Sequence, residues 1–260
     1  MSARTHFVDS ALCVARADVL HFLGYPDGHE PRPRIADLLD ECLAEARGLV
    51  RGRGVWTTLD PNEAPAIGLE PVAASGLVIG LVTAGAAIVA AASARMERGD
   101  ATGALLLDAC GSAAAEEAAD RISAAIVAAL SAGAEDVAGA GCAGVAAVAT
   151  ATADTADTAD TARSPAVDAE GAARISCRIS PGYGGWHLAS QEALFARLPH
   201  RAIGVRLEHS LLMVPRKSVS FAMWLGADAR PLSGLSGCAR CELESCRYRR
   251  ETRTLEDAAV

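Results

Sequence analysis

The sequence predicts an α+β protein, and three patterns carry that prediction. Residues 34–50 place Ile35, Leu38, Leu39, Cys42, Leu43 and Ala46 at helical spacing. Residues 75–83, SGLVIGLVT, are a short apolar run of the kind that forms a buried strand. Residues 218–225 alternate Val219, Phe221, Met223 and Leu225 with Ser218, Ser220, Ala222 and Trp224, which is strand periodicity.

Taken in chain order, residues 9–24 read as a first helix and 34–50 as a second, and GRGVWTTLDPNEAPAIG at 52–68 is turn-rich. The segment from Val72 to Ala94 carries no charge, which is long enough to cross a bilayer as one helix. It is rich in Ala, Gly, Ser and Thr rather than Leu and Phe, and it divides into the strand 75–83, a turn at Ala84-Gly85 and a helix whose basic end precedes Gly99. No membrane span is expected. A helix over 103–130 follows, with Asp108, Glu116 and Glu117 among small residues. Residues 132–168 repeat TAD in tandem and carry too little bulky apolar surface to fold on themselves, so they are expected to be a flexible insertion. Residues 174–180 predict a strand running into a Pro-Gly turn, and SQEALFARL a short helix with Ser190 as N-cap. Two extended runs around Pro215-Arg216-Lys217 are expected to pair as antiparallel neighbours. The expected divisions are 1–131, the insertion 132–168, a second part 169–229 and a tail 230–260.

At 260 residues the chain can bury a core without disulfides. Only 4% of it is aromatic against 51% apolar, so that core is built from small side chains. A net charge of −8 argues against a general nucleic-acid binder, which needs a basic face. The N-terminus lacks the basic start and apolar run of a signal peptide, which points to the cytoplasm and reduced cysteines.

The chemistry-bearing stretch is RISPGYGGW at 178–186. Arg178 supplies a planar fork for a carboxylate. Pro181-Gly182 lets a ligand approach bare backbone, and Tyr183 and Trp186 offer flat faces to an aromatic ring. This suits a ligand with an amino-acid carboxylate and a heterocycle. The same residues also fit a strand-ending turn with a surface arginine and two packed aromatics.

Arg178-Ile-Ser-Pro-Gly-Tyr183, then Gly185-Trp186, then IGVRLEHSLLMVPRKSVS at 203–220, together with VLHFLGY at 19–25 and LLLDACGSAAAEEAAD at 105–120, resemble the S-adenosylmethionine-binding activation domain of cobalamin-dependent methionine synthase and its short stand-alone relatives. The resemblance implies a twisted antiparallel sheet with flanking helices. It implies a protein that binds S-adenosylmethionine and supports reductive methylation of cob(II)alamin carried by a separate methionine synthase core, with an electron donor such as flavodoxin or ferredoxin. By the same resemblance Arg178 holds the methionyl carboxylate, Pro181 and Gly182 form the backbone approach, and Tyr183 lies at the cofactor face as the catalytic position. Glu116 takes the amino group, with Glu117 leaving the register open, and Glu208 and Ser210 match a strand-ending pair. An acidic ligand contact of the full synthase module has no counterpart that can be placed here. Asp18-Val-Leu-His21-Phe-Leu-Gly24 has one residue too many for the cobalamin-binding signature, so the corrinoid is expected on a partner.

Five of the eight cysteines, Cys13, Cys42, Cys110, Cys142 and Cys177, are scattered, as small buried hydrophobes are. Cys238, Cys241 and Cys246 form C-x2-C-x4-C, which brings three thiolates to one centre beside Arg240, Arg247, Arg249 and Arg250. Zinc or an iron-sulfur cluster wants a fourth ligand from elsewhere. Radical-type S-adenosylmethionine proteins use C-x3-C-x2-C instead. The alternatives are an activator of another corrinoid methyltransferase and a noncatalytic zinc-stabilised interaction module.

Overall fold

A computed structural model describes residues 5–26, 28–131, 147–151, 175–183 and 185–226. The strands are β1 (Thr5–Ser10), β2 (Gly52–Leu59), β3 (Gly76–Thr83), β4 (Ala147–Ala151), β5 (Arg206–Leu207), β6 (Met213–Val214) and β7 (Ser218–Leu225). The helices are α1 (Arg16–Phe22), α2 (Pro33–Leu49), α3 (Ala87–Glu97), α4 (Ala101–Ser131) and α5 (Ser190–Phe195), with short 3-10 turns at Pro61–Ile67 and His200–Ile203. The main sheet is antiparallel throughout, in the order β4-β1-β2-β3-β7, and β5 and β6 form a separate small hairpin. The α+β class expected from the sequence is the observed one.

The sheet is covered on both faces. On one, Ala118, Ala119, Ile122, Ala125 and Ile126 of α4 meet Val8, Trp56, Val78, Val82, Phe221 and Met223. On the other, Trp186, Leu194, Phe195, Leu198 and Ile203 pack on Val55, Leu77, Ile79, Leu81 and Ala222. Burial on both sides explains why β3 reads as a continuous apolar run rather than an alternating one. The first half of α4 is enclosed by α1, α2 and α3, with Leu39, Cys42, Ala46, Ile88, Leu107 and Cys110 at the contact. At the α4 entry, Asp100 Oδ1 accepts from the Gly103 N–H at 2.9 Å and Oδ2 from Arg95 at 2.9 Å. Those two bonds hold the Asp100 carboxyl below its ordinary range.

The charge-free segment at 72–94 resolves as expected into β3, the Ala84-Gly85 turn and α3, and among the described residues no helix is long and apolar enough to cross a membrane. Several expectations are corrected. Residues 5–10 form a strand, and the first helix is confined to Arg16–Phe22; it stops at Gly24, whose φ of +83° no β-carbon opposes. Half of the turn-rich stretch is β2. Its glycines are there for closeness, not for turns: a Cβ at Gly54 would sit 2.5 Å from Ile122 Cδ1 of α4. The other half is the 3-10 turn, opened by the reciprocal Asp60–Glu63 capping box. Ser190 is the first residue of α5, not its cap; Ala189 takes that place with no side-chain bond.

The two extended runs do not pair with each other. β7 runs in full register with β3, from Gly76 opposite Leu225 to Thr83 opposite Ser218, because β3 offers eight residues buried on both faces. The first run closes on itself as the β5–β6 hairpin. Within 132–168, Ala147–Ala151 pair with β1 as β4, and the remainder of that segment lies outside the described residues. Strand pairing uses backbone groups, so a run without bulky side chains can still add an edge strand.

Candidate functional site

The site is built where residues 175–183 meet β7 and α4. Residues 174–180 were expected to form a strand, but only two isolated bridges form, Ile175 with Leu225 and Ile179 with Ala222. Between those bridges the segment carries one more residue than β7, the condition of a bulge. The Ser176 side chain stitches it down, accepting from the Trp224 N–H at 2.9 Å. The extra residue re-aims Arg178 off the sheet edge and towards α4.

Arg178 is held tightly there. Its Nη1 donates to the Ala119 carbonyl at 2.8 Å and to the buried Ser123 Oγ at 2.9 Å. Its Nη2 donates to Asp120 Oδ1 at 2.7 Å and lies 3.6 Å from Glu116 Oε2. Glu117, the competing candidate, instead accepts from Arg121 Nε at 2.6 Å within the same helix. The structure therefore brings Glu116, not Glu117, to Arg178.

Beyond Arg178 the chain turns. The Tyr183 N–H donates to the Ser180 carbonyl at 3.1 Å, and the Gly182 N–H to the Trp186 carbonyl at 2.7 Å. Gly182 has φ +96°, a conformation that favours glycine, and the nearest atom to a Cβ there would be Leu188 Cδ1 at 3.6 Å. Pro181 is buried and Tyr183 is 62% exposed. Trp186 is not a ligand face: it is 2% exposed, and its Nε1 donates to the Ile67 carbonyl at 2.7 Å, anchoring the turn to the core.

The outer edge of β7 continues past the 175–179 segment. Ala222 and Trp224 bond outward to the 175–179 segment, so by antiparallel alternation Ser218 and Ser220 also aim their backbone N–H and C=O groups away from β3. Among the described residues the bridged segment stops at Ile179, opposite Ala222, and no strand pairs with the outer side of β7 at Ser218 and Ser220, which are themselves buried. Alongside it runs a polar stripe on α4, Asp108, Ser112, Glu116 and Asp120, at every fourth residue. Its far end is tied by Lys217, whose Nζ donates to Asp108 Oδ2 and Ser112 Oγ, both at 2.8 Å, while Arg216 reaches Asp108 at 3.1 Å. Sequence reasoning missed Ser112, Asp120 and Lys217. The four-residue period through Asp108 and Glu116 was the available signal.

Glu208 and Ser210 are not among the residues that contact Arg178. They line an open groove of about 550 Å³ with Glu192, Arg206, Leu207 and His209, and neither Arg178 nor the 181–183 turn lines it. Glu208 accepts from Arg206 at 3.1 Å, a pairing inside the hairpin. Cys238, Cys241 and Cys246 lie outside the described residues, and among the described residues no group of three or more metal-ligating side chains gathers.

No protein-family model matches the chain, and no curated protein matches it. Among solved structures it is similar to the MetH reactivation domain bound to AdoHcy, with a TM-score of 0.50 and 12% sequence identity over 87% of this chain and 79% of that one. At that identity the likeness is one of fold, an α+β architecture around an antiparallel sheet.

Proposed function

We propose that this chain binds S-adenosylmethionine at the Arg178–Glu116 pair and supports reductive methylation of a cobalamin held by a separate methionine synthase core. One observation carries the proposal: Arg178 and Glu116, from distant parts of the sequence, converge to 3.6 Å. A free amino-acid group needs a cation for its carboxylate and an anion for its ammonium within a few ångströms of each other, and this pair supplies both. Gly182 and the exposed Tyr183 follow Arg178 in the same turn, which we take as the side on which an adenosyl group would extend. The fold likeness to a reactivation domain bound to AdoHcy supports the same ligand class.

In the proposed reaction one electron takes Co(II) to Co(I), and the sulfonium methyl then passes to cobalt as the carbon–sulfur bond breaks. A neutral thioether leaves, so no residue has to move a proton. The work of this chain is to hold and align the donor. Arg178 fixes one end of it, Glu116 the ammonium, and Tyr183 borders the face presented to the partner. Cys238, Cys241 and Cys246 are proposed as metal ligands on their spacing alone, and no step above depends on them.

Reconstitution tests the function. Methyl-labelled S-adenosylmethionine, a chemical reductant and a cob(II)alamin-loaded synthase core without its own reactivation domain should yield labelled methylcobalamin only when this chain is added. Equal labelling without the chain would remove the role.

A further inference from the structure

Resting on the ligand assignment above, we infer that Asp120 is a placeholder: it occupies the position on Arg178 that the ligand carboxylate takes, and so sets how strongly the site prefers carboxylate-bearing ligands. Arginine binds a carboxylate best through two parallel N–H groups. Both donors of Nη1 are used on the helix side, by the Ala119 carbonyl and by Ser123 Oγ. The remaining fork is the Nε–Nη2 side, and Nη2 is engaged by Asp120 at 2.7 Å. A ligand carboxylate entering that fork meets Asp120 at close range, with Glu116 already 3.6 Å from the same nitrogen.

The two sides of the guanidinium differ in what surrounds them. Ser123 is buried, whereas the Asp120 side chain is 64% exposed. Exposed ion pairs contribute little net stability, so Asp120 can swing into water at small cost, while the helix-side bonds keep Arg178 in place. Arg178 is thus held in its binding geometry before ligand arrives by the helix-side bonds, while its outer nitrogen carries a partner the ligand can replace.

Asp120→Asn keeps the side-chain shape and removes the competing charge. Titrations of the full chain with S-adenosylmethionine and with 5′-methylthioadenosine, which lacks the amino-acid group, separate the effects. The expected result is about two- to fivefold tighter S-adenosylmethionine binding, the size of a released surface ion pair, with 5′-methylthioadenosine unchanged within error. A purely structural role would move both ligands together, and that result overturns the inference. Unchanged S-adenosylmethionine binding also overturns it, and weakened binding overturns it by making Asp120 a contact for the ligand ammonium. If neither the natural chain nor the variant binds S-adenosylmethionine, the ligand assignment itself fails.

Discussion

Lys217 Nζ sits 2.8 Å from Asp108 Oδ2 and 2.8 Å from Ser112 Oγ, so the residue that leads into β7 is fastened to α4. Gly111 makes room for it, since a Cβ there would lie 3.1 Å from Lys217 Cε. The Lys217 side chain is 11% exposed and Asp108 36%, so the pair is partly screened. Lys217→Met should lower unfolding stability by about 1–3 kcal/mol, below the range for a fully buried pair. A denaturant series on Lys217→Met, Asp108→Asn and the double variant checks it. Additive effects would mean that the contact contributes nothing of its own.

Gly80 faces Phe221 across the β3–β7 ladder, and a Cβ on Gly80 would come 2.3 Å from the ring. Gly80→Ala should therefore cost about 1–3 kcal/mol by overpacking. Gly48→Ala should act oppositely. That position is in α2 with nothing within 4 Å of the added carbon, and a gain of about 0.5–1 kcal/mol is expected from helix propensity. Urea midpoints of the two variants should move in opposite directions.

Burial pushes the Cys110 thiol up to about 12 and raises that of Cys42 as well, against an ordinary value of 9.0. The neutral form is favoured by folding, so the stabilisation is complete below about pH 9 and is lost as pH rises towards the folded value. Asp100 behaves inversely: its lowered carboxyl contributes above its ordinary value and loses that contribution in acid. Mass-spectrometric alkylation at pH 8 should label the exposed Cys13 quickly and spare Cys42 and Cys110 until the chain unfolds. Rapid labelling of Cys110 in folded protein would contradict the packing described.

The two aromatics of the turn should separate cleanly. Trp186→Ala removes a buried ring and its bond to the Ile67 carbonyl and should cost about 3–5 kcal/mol. Tyr183→Ala, at an exposed ring, should change stability by less than about 0.5 kcal/mol. If Tyr183 borders the ligand, the same variant weakens S-adenosylmethionine binding. Thermal melts and titrations on both proteins read this out.

Periodicity made most of the helices and β3 legible, because α2, α3 and α4 bury continuous faces and β3 is apolar throughout. It failed where a residue serves a neighbour rather than its own element. Gly54 resembles a turn glycine, yet it lets α4 lie close to β2, a requirement set by Ile122 far along the chain, while Gly52 makes room for Leu12 and Ser10. The partner of β7 was misassigned because the nearest extended run in sequence is too short to cover it. At the site, Arg178 and the turn were visible as a local motif, and Glu116 through family resemblance. Asp120 was not, because its importance comes from a one-residue bulge between the 175–179 segment and β7 that no local pattern announces. Trp186 looked equivalent to Tyr183 in sequence, and only the packing against Ile67 separates them.

Calorimetric titration of S-adenosylmethionine into the full chain, beside Arg178→Ala and with thermal melts of both, probes the proposed pocket. Saturable binding to the natural chain, weakened at least tenfold in a variant that remains folded, is the predicted result. No binding to the natural chain, or equal binding to a folded Arg178→Ala protein, would contradict a ligand site at Arg178 and Glu116.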